Sequence, residues 1–225
     1  MKAKHAALLA VLLLRLPGAP HAAPAQDVLV EAESFAQWGG WVIDQQSMDQ
    51  MGSPYLLAHG LGMPVADAVT QIQFPHPGPY HLWVRTRDWA APWKTPQTDS
   101  RMRATGTPGL FQVLVDGRPV GETFGNEGVD WHWQAGGLVQ ISNQSTTLIL
   151  RDLTGFAGRC DALLFAPDGT NAPPNDPATL TPYRRRLLGI PGAPIDAGQF
   201  DLVVVGGGMA GCCAAVSAAR LGCKV

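Results

Sequence analysis

Between residue 28 and about residue 165, apolar positions fall in short runs, several of them alternating with polar residues. Gly, Pro and Asx turns break the runs, and no stretch keeps the 3.6-residue spacing of an amphipathic helix. This pattern predicts strands over residues 28–35, 66–74, 80–88, 110–115, 137–142, 146–152 and 160–165. Asp116-Gly117 is a hairpin signal because both residues tolerate the positive φ of a primed turn, and it joins 110–115 to a partner over 119–124. So many short strands suit two packed antiparallel sheets, an antiparallel β-sandwich spanning residues 26–166.

Two stretches interrupt the rhythm. Residues 90–108, rich in Ala, Pro, Thr and charge, are predicted to form a long loop carried on the sandwich. Residues 167–198 hold seven prolines and four glycines and are predicted to form a linker with one short helix near 180–188, whose Arg184-Arg185-Arg186 is read as a solvated face. At residue 200 the pattern changes. Asp201-Leu202-Val203-Val204-Val205 is predicted as a buried parallel-type strand, followed by a glycine turn, an alanine-rich helix to about Leu221, Gly222 as its C-cap, and the start of a second strand at Cys223. A βαβ unit halted at its second strand lacks the sheet that completes it, so the sequence is expected to continue beyond Val225.

Residues 1–25 have the three parts of a secretory signal. Lys2 and Lys4 open it, an apolar run covers 6–14, and Ala23-Pro24-Ala25 offers small side chains for cleavage after Ala25. The apolar run is far shorter than the roughly 20 residues of a membrane span, so the expected destination is secreted or periplasmic, with no span after signal removal. The net charge of −2 and the lack of a basic stripe exclude nucleic acid as a natural partner. Three of the four cysteines (Cys212, Cys213, Cys223) crowd the C-terminal segment, which argues against a disulfide framework, and Cys160 is read as a small buried thiol. His59, His76, His81 and His132 show no metal-ligand spacing.

The sharpest motif is Gly206-Gly207-Gly208-Met209-Ala210-Gly211, a G-x-G-x-x-G directly after the predicted strand and before the predicted helix. Gly206 permits the tight turn, Gly208 lets backbone N–H groups approach a pyrophosphate, and Gly211 lets the helix lie close to the strand. The helix N-terminus adds unpaired N–H groups and a partial positive charge. The acidic residue that separates nucleotide types by gripping the ribose would fall beyond Val225, so FAD and NAD both remain open on the motif. The run from Asp201 to Gly222 resembles the N-terminal signature of FAD-dependent oxidoreductases of the two-dinucleotide-binding type. That resemblance implies a Rossmann-like α/β FAD-binding domain beginning at residue 199, here as β-loop-α. It also implies Gly206, Gly208, Met209, Ala210 and Gly211 as the pyrophosphate cradle, and catalytic residues further downstream.

The sandwich carries its own resemblance. Val30-Glu31-Ala32-Glu33-Ser34-Phe35 and Arg159-Cys160-Asp161-Ala162-Leu163-Leu164-Phe165 are similar to the first and last strands of jelly-roll carbohydrate-binding modules. In those modules acidic side chains of the two strands hold a structural calcium, which implies Glu31, Glu33 and Asp161 here, with Glu31 and Glu33 expected on one strand face. All seven tryptophans fall in this region. Trp83, Trp131 and Trp133 are expected in the core. Trp89 and Trp93 sit where Arg87-Asp88 runs into the long loop and are the expected sugar-stacking surface, with Arg87 and Asp88 supplying hydrogen bonds. The leading expectation is the N-terminal part of an exported FAD-dependent oxidoreductase acting on a small-molecule or carbohydrate substrate. The alternatives are a secreted carbohydrate-binding or adhesion module whose flavin segment does not function, and an NAD-dependent dehydrogenase.

Overall fold

A computed structural model of the chain describes residues 26–93, 108–169 and 171–225. The signal-like residues 1–25 and most of the predicted loop at 90–108 lie outside the described residues. The chain divides into two compact units, one ending at Asn175 and the other running from Asp176 to Val225.

The first unit is a mainly β structure with antiparallel pairing throughout. Its strands are β1 Val28–Glu31, β2 Val42–Asp44, β3 Tyr55–His59, β4 Ala68–Gln73, β5 Gly78–Thr86, β6 Phe111–Val115, β7 Arg118–Pro119, β8 His132–Ile141, β9 Ser145–Asp152, β10 Phe156–Cys160 and β11 Ala162–Ala166. One four-stranded sheet has the order β1-β11-β5-β8, a second β4-β9-β6-β7, and a three-stranded sheet β10-β3-β2. Period-two alternation decides which side chains meet between them. Tyr80, Leu82 and Val84 of β5 and Leu163 and Phe165 of β11 face Phe111, Val113, Leu148 and Leu150 of the second sheet. Leu56, Ala58 and Cys160 of the third sheet enter the same core. Edge-to-face ring pairs such as Phe74 with Phe165 (5.1 Å) and Trp41 with Phe111 (5.7 Å) fill it.

The predicted hairpin is present: Asp116 and Gly117 both take positive φ (48° and 77°) between β6 and β7. Its returning strand is much shorter than 119–124. Regular pairing ends at Pro119, which has no N–H to give, and resumes as a single bridge between Phe111 and Phe124. The predicted strand 28–35 is also shorter. It ends at Glu31, and Ala32–Ser34 form a 3-10 turn closed by the Ser34 hydroxyl donating to the Glu31 carbonyl at 2.6 Å. Glu31 and Glu33 therefore do not share a strand face. The predicted strand 160–165 is divided at Asp161, so that β10 pairs with β3 while β11 pairs with β1 and β5.

The first part of the predicted linker belongs to the sandwich. The Trp83 indole N–H donates to the Gly169 carbonyl (3.2 Å), that of Trp133 to Pro174 (3.0 Å), and Asn175 Nδ2 to Trp131 (2.8 Å). The indole N–H groups of Trp83 and Trp133 need partners, and the Gly169 and Pro174 carbonyls supply them, which with Asn175 form a strap along the sheet.

The first unit also holds α1, a single turn at Met48–Met51, and the second unit holds α2, Pro177–Leu187, and α3, Met209–Arg220. The Asp176 carboxylate caps α2 by accepting from the Thr179 N–H at 3.1 Å, and Pro177 stands at its first position. Arg184, expected to be solvated, is buried. The predicted strand 201–205 has no ladder among the described residues, because a strand's N–H and C=O groups need a neighbour. Its beginning does meet the end of the chain: Asp201 and Leu202 donate to the Lys224 carbonyl (2.9 and 3.3 Å), and the Lys224 N–H donates to the Asp201 carboxylate (2.8 Å). Among the described residues no helix is long and apolar enough to cross a membrane.

The strap generates a direct comparison. A fragment ending at Asn175 should unfold at least about 2 kcal/mol above one ending at Ala166, since several side-chain hydrogen bonds of about 1 kcal/mol each are lost with the strap. Urea unfolding of the two fragments measures the difference, and equal stabilities would show that the strap contributes nothing.

Candidate functional site

Where β5 ends, the chain builds an aromatic surface. The Asp88 carboxylate accepts the Ala90 N–H at 2.9 Å, and its own backbone N–H donates to Glu127 and Gly128 (3.0 and 2.8 Å). Asp88 is buried, so it shapes the turn; its expected role as a ligand contact is corrected. Trp89 follows, half-buried. Its indole N–H donates to the Phe156 carbonyl at 2.9 Å, the Arg159 guanidinium lies 5.4 Å over its ring, and Trp93 packs against it edge-on at 5.8 Å. Trp89 is thus a support for Trp93, which is 64% exposed at the end of a 3-10 turn. Arg87 is half-buried nearby on the same strand end, and its Nε has no hydrogen-bond partner in the structure.

The surface continues beyond the residues predicted from sequence. Phe156 is 50% exposed, and the turn carrying Leu61 and Met63, both more than 70% exposed, is held against it. Gly60 and Gly62 donate to the Gly155 carbonyl at 2.9 and 3.2 Å, and a Cβ on Gly62 would stand 3.0 Å from the Phe156 ring. Leu61 and Ala157 take positive φ (53° and 57°), a conformation that costs an L-residue energy and clusters at binding sites. Arg159 is fixed from several sides. Its Nη1 donates to the Ala157 carbonyl at 2.8 Å, its guanidinium lies over Trp89, and it faces the Tyr55 phenol. Burial pushes that phenol above its ordinary value, Arg159 opposes the shift, and Asp44 adds to it. Phe156, Arg159, Leu61 and Met63 were missed because no local pattern marks them. The Gly155-Phe156-Ala157-Gly158 run, where β10 shifts register, was the one visible signal.

The three calcium candidates do not assemble a metal site. Asp161 Oδ2 is 2.8 Å from Arg85 Nη1, with the two side chains 0% and 2% exposed, and the Ser53 hydroxyl donates to Asp161 Oδ1 at 3.4 Å. Glu31 ends β1 and Glu33 lies in the 3-10 turn. Among the described residues no group of three His, Cys, Asp or Glu side chains is arranged to hold a metal ion. The acids are nevertheless near enough to add to burial in pushing the enclosed Cys160 thiol well above its ordinary value.

The glycine loop brings the helix close to the turn at its first and third glycines. Gly206 takes φ 111°, and a Cβ on Gly211 would fall 2.0 Å from the Gly206 carbonyl oxygen, so the first and third glycines allow helix and turn to approach. Gly208 is the N-cap of α3, and the Cys212 N–H donates to its carbonyl at 2.9 Å. A Cβ on Gly206, Gly207 or Gly208 would meet nothing within 4 Å, leaving open space beside the helix N-terminus, where Met209 and Ala210 are exposed. These residues fit a dinucleotide pyrophosphate. Below them a groove of about 370 Å³ is lined by Leu202, Val204, Gly211, Ala215 and Val225.

No family model matches the chain, and no curated protein matches it. Solved structures similar to it include a GH26-CBM35 β-(1,4)-mannanase of Podospora anserina, at 17% identity and a TM-score of 0.47 over 65% of this chain and 29% of that one. The CBM36-1 domain of a multidomain xylanase from the hindgut metagenome of Trinervitermes trinervoides is 12% identical, with a TM-score of 0.44 over 64% of this chain and 100% of that one. The CBM35 from Cellvibrio japonicus Abf62 is 18% identical, with a TM-score of 0.43 over 65% and 97%. The chain spans less than a third of the mannanase.

The two tryptophans of the aromatic end should separate on mutation. Trp89→Ala should cost about 2–3 kcal/mol, because it removes a packed ring and orphans a carbonyl. Trp93→Ala should stay within about 0.5 kcal/mol, as exposed substitutions do. Chemical denaturation of both variants checks this, and equal losses would return Trp93 to the core.

Proposed function

We propose that the sandwich is a carbohydrate-binding module whose ligand stacks on Trp93 and extends over the Phe156 surface. The observation that carries this reading is Trp93, 64% exposed yet braced by a Trp89 ring that is itself pinned by Arg159 and the Phe156 carbonyl. A rigid exposed indole offers the flat apolar face that the C–H side of a sugar ring fits, at little entropic cost. The Arg159 guanidinium, 5.4 Å over the Trp89 ring, and Arg87, two residues before Trp89, supply donors for ring hydroxyls. Export to a secreted or periplasmic location agrees with such a ligand. Affinity electrophoresis against soluble polysaccharides tests the reading. At least one polysaccharide should retard the protein, and Trp93→Ala should abolish the retardation while the melting temperature holds; a Trp93→Ala variant retarded like wild type contradicts it.

A second reading concerns the second unit and is favoured by the Gly206–Gly211 approach and the open helix N-terminus. On this reading we infer that the glycine loop is the pyrophosphate cradle of FAD and that the sandwich accompanies an exported FAD-dependent oxidoreductase. The flavin would carry the hydride chemistry, and these residues hold its diphosphate through backbone N–H groups and the α3 terminus. Gly208 is extended (φ −68°, ψ 174°) and has free space around it, so Gly208→Val leaves the loop itself unstrained and obstructs only a bound diphosphate. Where this unit carries flavin, Gly208→Val should lower the ratio of flavin to protein absorbance at least tenfold with the melting curve of the sandwich unchanged. A full flavin complement in the variant would remove this reading, and a colourless wild type that binds NAD would favour the dehydrogenase.

A further inference from the structure

The resemblance to carbohydrate-binding modules implies a calcium ion joining the first and last strands, whereas here the acids do not gather around a cation position. The group that stands against Asp161 is Arg85. Its Nη1 donates to Asp161 Oδ2 at 2.8 Å and its Nε to Asn175 Oδ1 at 3.2 Å. The backbone fixes the same junction: the Asp161 N–H donates to the Arg85 carbonyl and the Ala32 N–H to the Asp161 carbonyl, both at 2.9 Å. Arg85 is on β5, Asp161 precedes β11, and Ala32 follows β1, so three neighbouring strands converge here. Asn175 ties in the strap and donates onward to the Trp131 carbonyl.

We propose that the Arg85 guanidinium takes the place of a divalent cation at this junction, so that the sandwich folds and holds its shape without calcium and extends the fastening to the strap. A guanidinium suits the task. It stays charged at any physiological pH, and it is planar, so Nη1 and Nε reach two partners at once. A calcium ion would need the Asp161 oxygens in direct contact at about 2.4 Å, with a like charge already occupying one of them. Removing either member of a buried pair leaves the other uncompensated, which sets the size of the expected effect. This inference stands apart from what the sandwich binds.

The test is thermal unfolding of the whole chain in excess EDTA and in excess calcium, with Arg85→Met, Asp161→Asn and the double variant. The wild-type midpoint should agree within about 1 °C between the two conditions. Each single substitution should lower it by roughly 10 °C, and the double variant should lie well above the sum of the two losses. A calcium-dependent rise of about 5–10 °C in wild type, as a site filled well above its Kd would give, overturns the proposal when Asp161→Asn lacks it. Fully additive losses in the double variant overturn it too. Should a single variant fail to fold, the wild-type comparison alone decides.

Discussion

The structure of the first unit depends on the pairing of β11 between β1 and β5. Ala162–Ala166 is buried at every position, and its register sets Leu163 and Phe165 into the core while placing Ala162 opposite both Arg85 and Glu31. A one-residue slip would turn the apolar set outward and part Asp161 from Arg85, so burial and charge specify the same register. The same strand closes the sandwich by joining its last segment to its first.

That closure has consequences at the aromatic surface. Because β10 leads into β11 through Asp161, the position of Phe156 and Arg159 is fixed relative to the end of β5, where the Thr86 hydroxyl donates to the Arg159 carbonyl at 2.6 Å. Trp89 then finds a carbonyl for its N–H and a guanidinium for its face, and Trp93 packs edge-on against it while 64% exposed. The strain at Leu61 and Ala157 is held by the packing around it. Binding on such a braced surface needs little reorganisation, which is how a small exposed patch gains affinity.

Much of the fold was legible because its strands alternate. The run Tyr80–Val84 and the Asp116-Gly117 turn declare themselves through period and positive φ, and the G-x-G-x-x-G declares a close approach that the Gly211 geometry displays. Strand β2 was illegible because two of its three residues are exposed and carry no alternation. The split at Asp161 was hidden because a continuous apolar run gives no sign of changing sheets. The strap was misread as free linker, since proline content says nothing of carbonyls that buried indoles will seek. At the aromatic surface, local sequence named Trp93 correctly as exposed but could not tell it from Trp89, whose position is set by Phe156 and Arg159 some seventy residues away. The acidic residues were recognisable as a pattern, but only tertiary structure shows Arg85 opposite Asp161.

On the reading proposed above, Trp93, exposed and braced by the half-buried Trp89, carries a sugar ligand. Oxidation of accessible indoles with N-bromosuccinimide, mapped by peptide mass, tests it most directly. Trp93 should oxidise before the buried Trp41 and Trp131, a bound polysaccharide should protect it, and binding should fall in step with its modification. Protein that still binds the polysaccharide in full after Trp93 is oxidised would contradict the account.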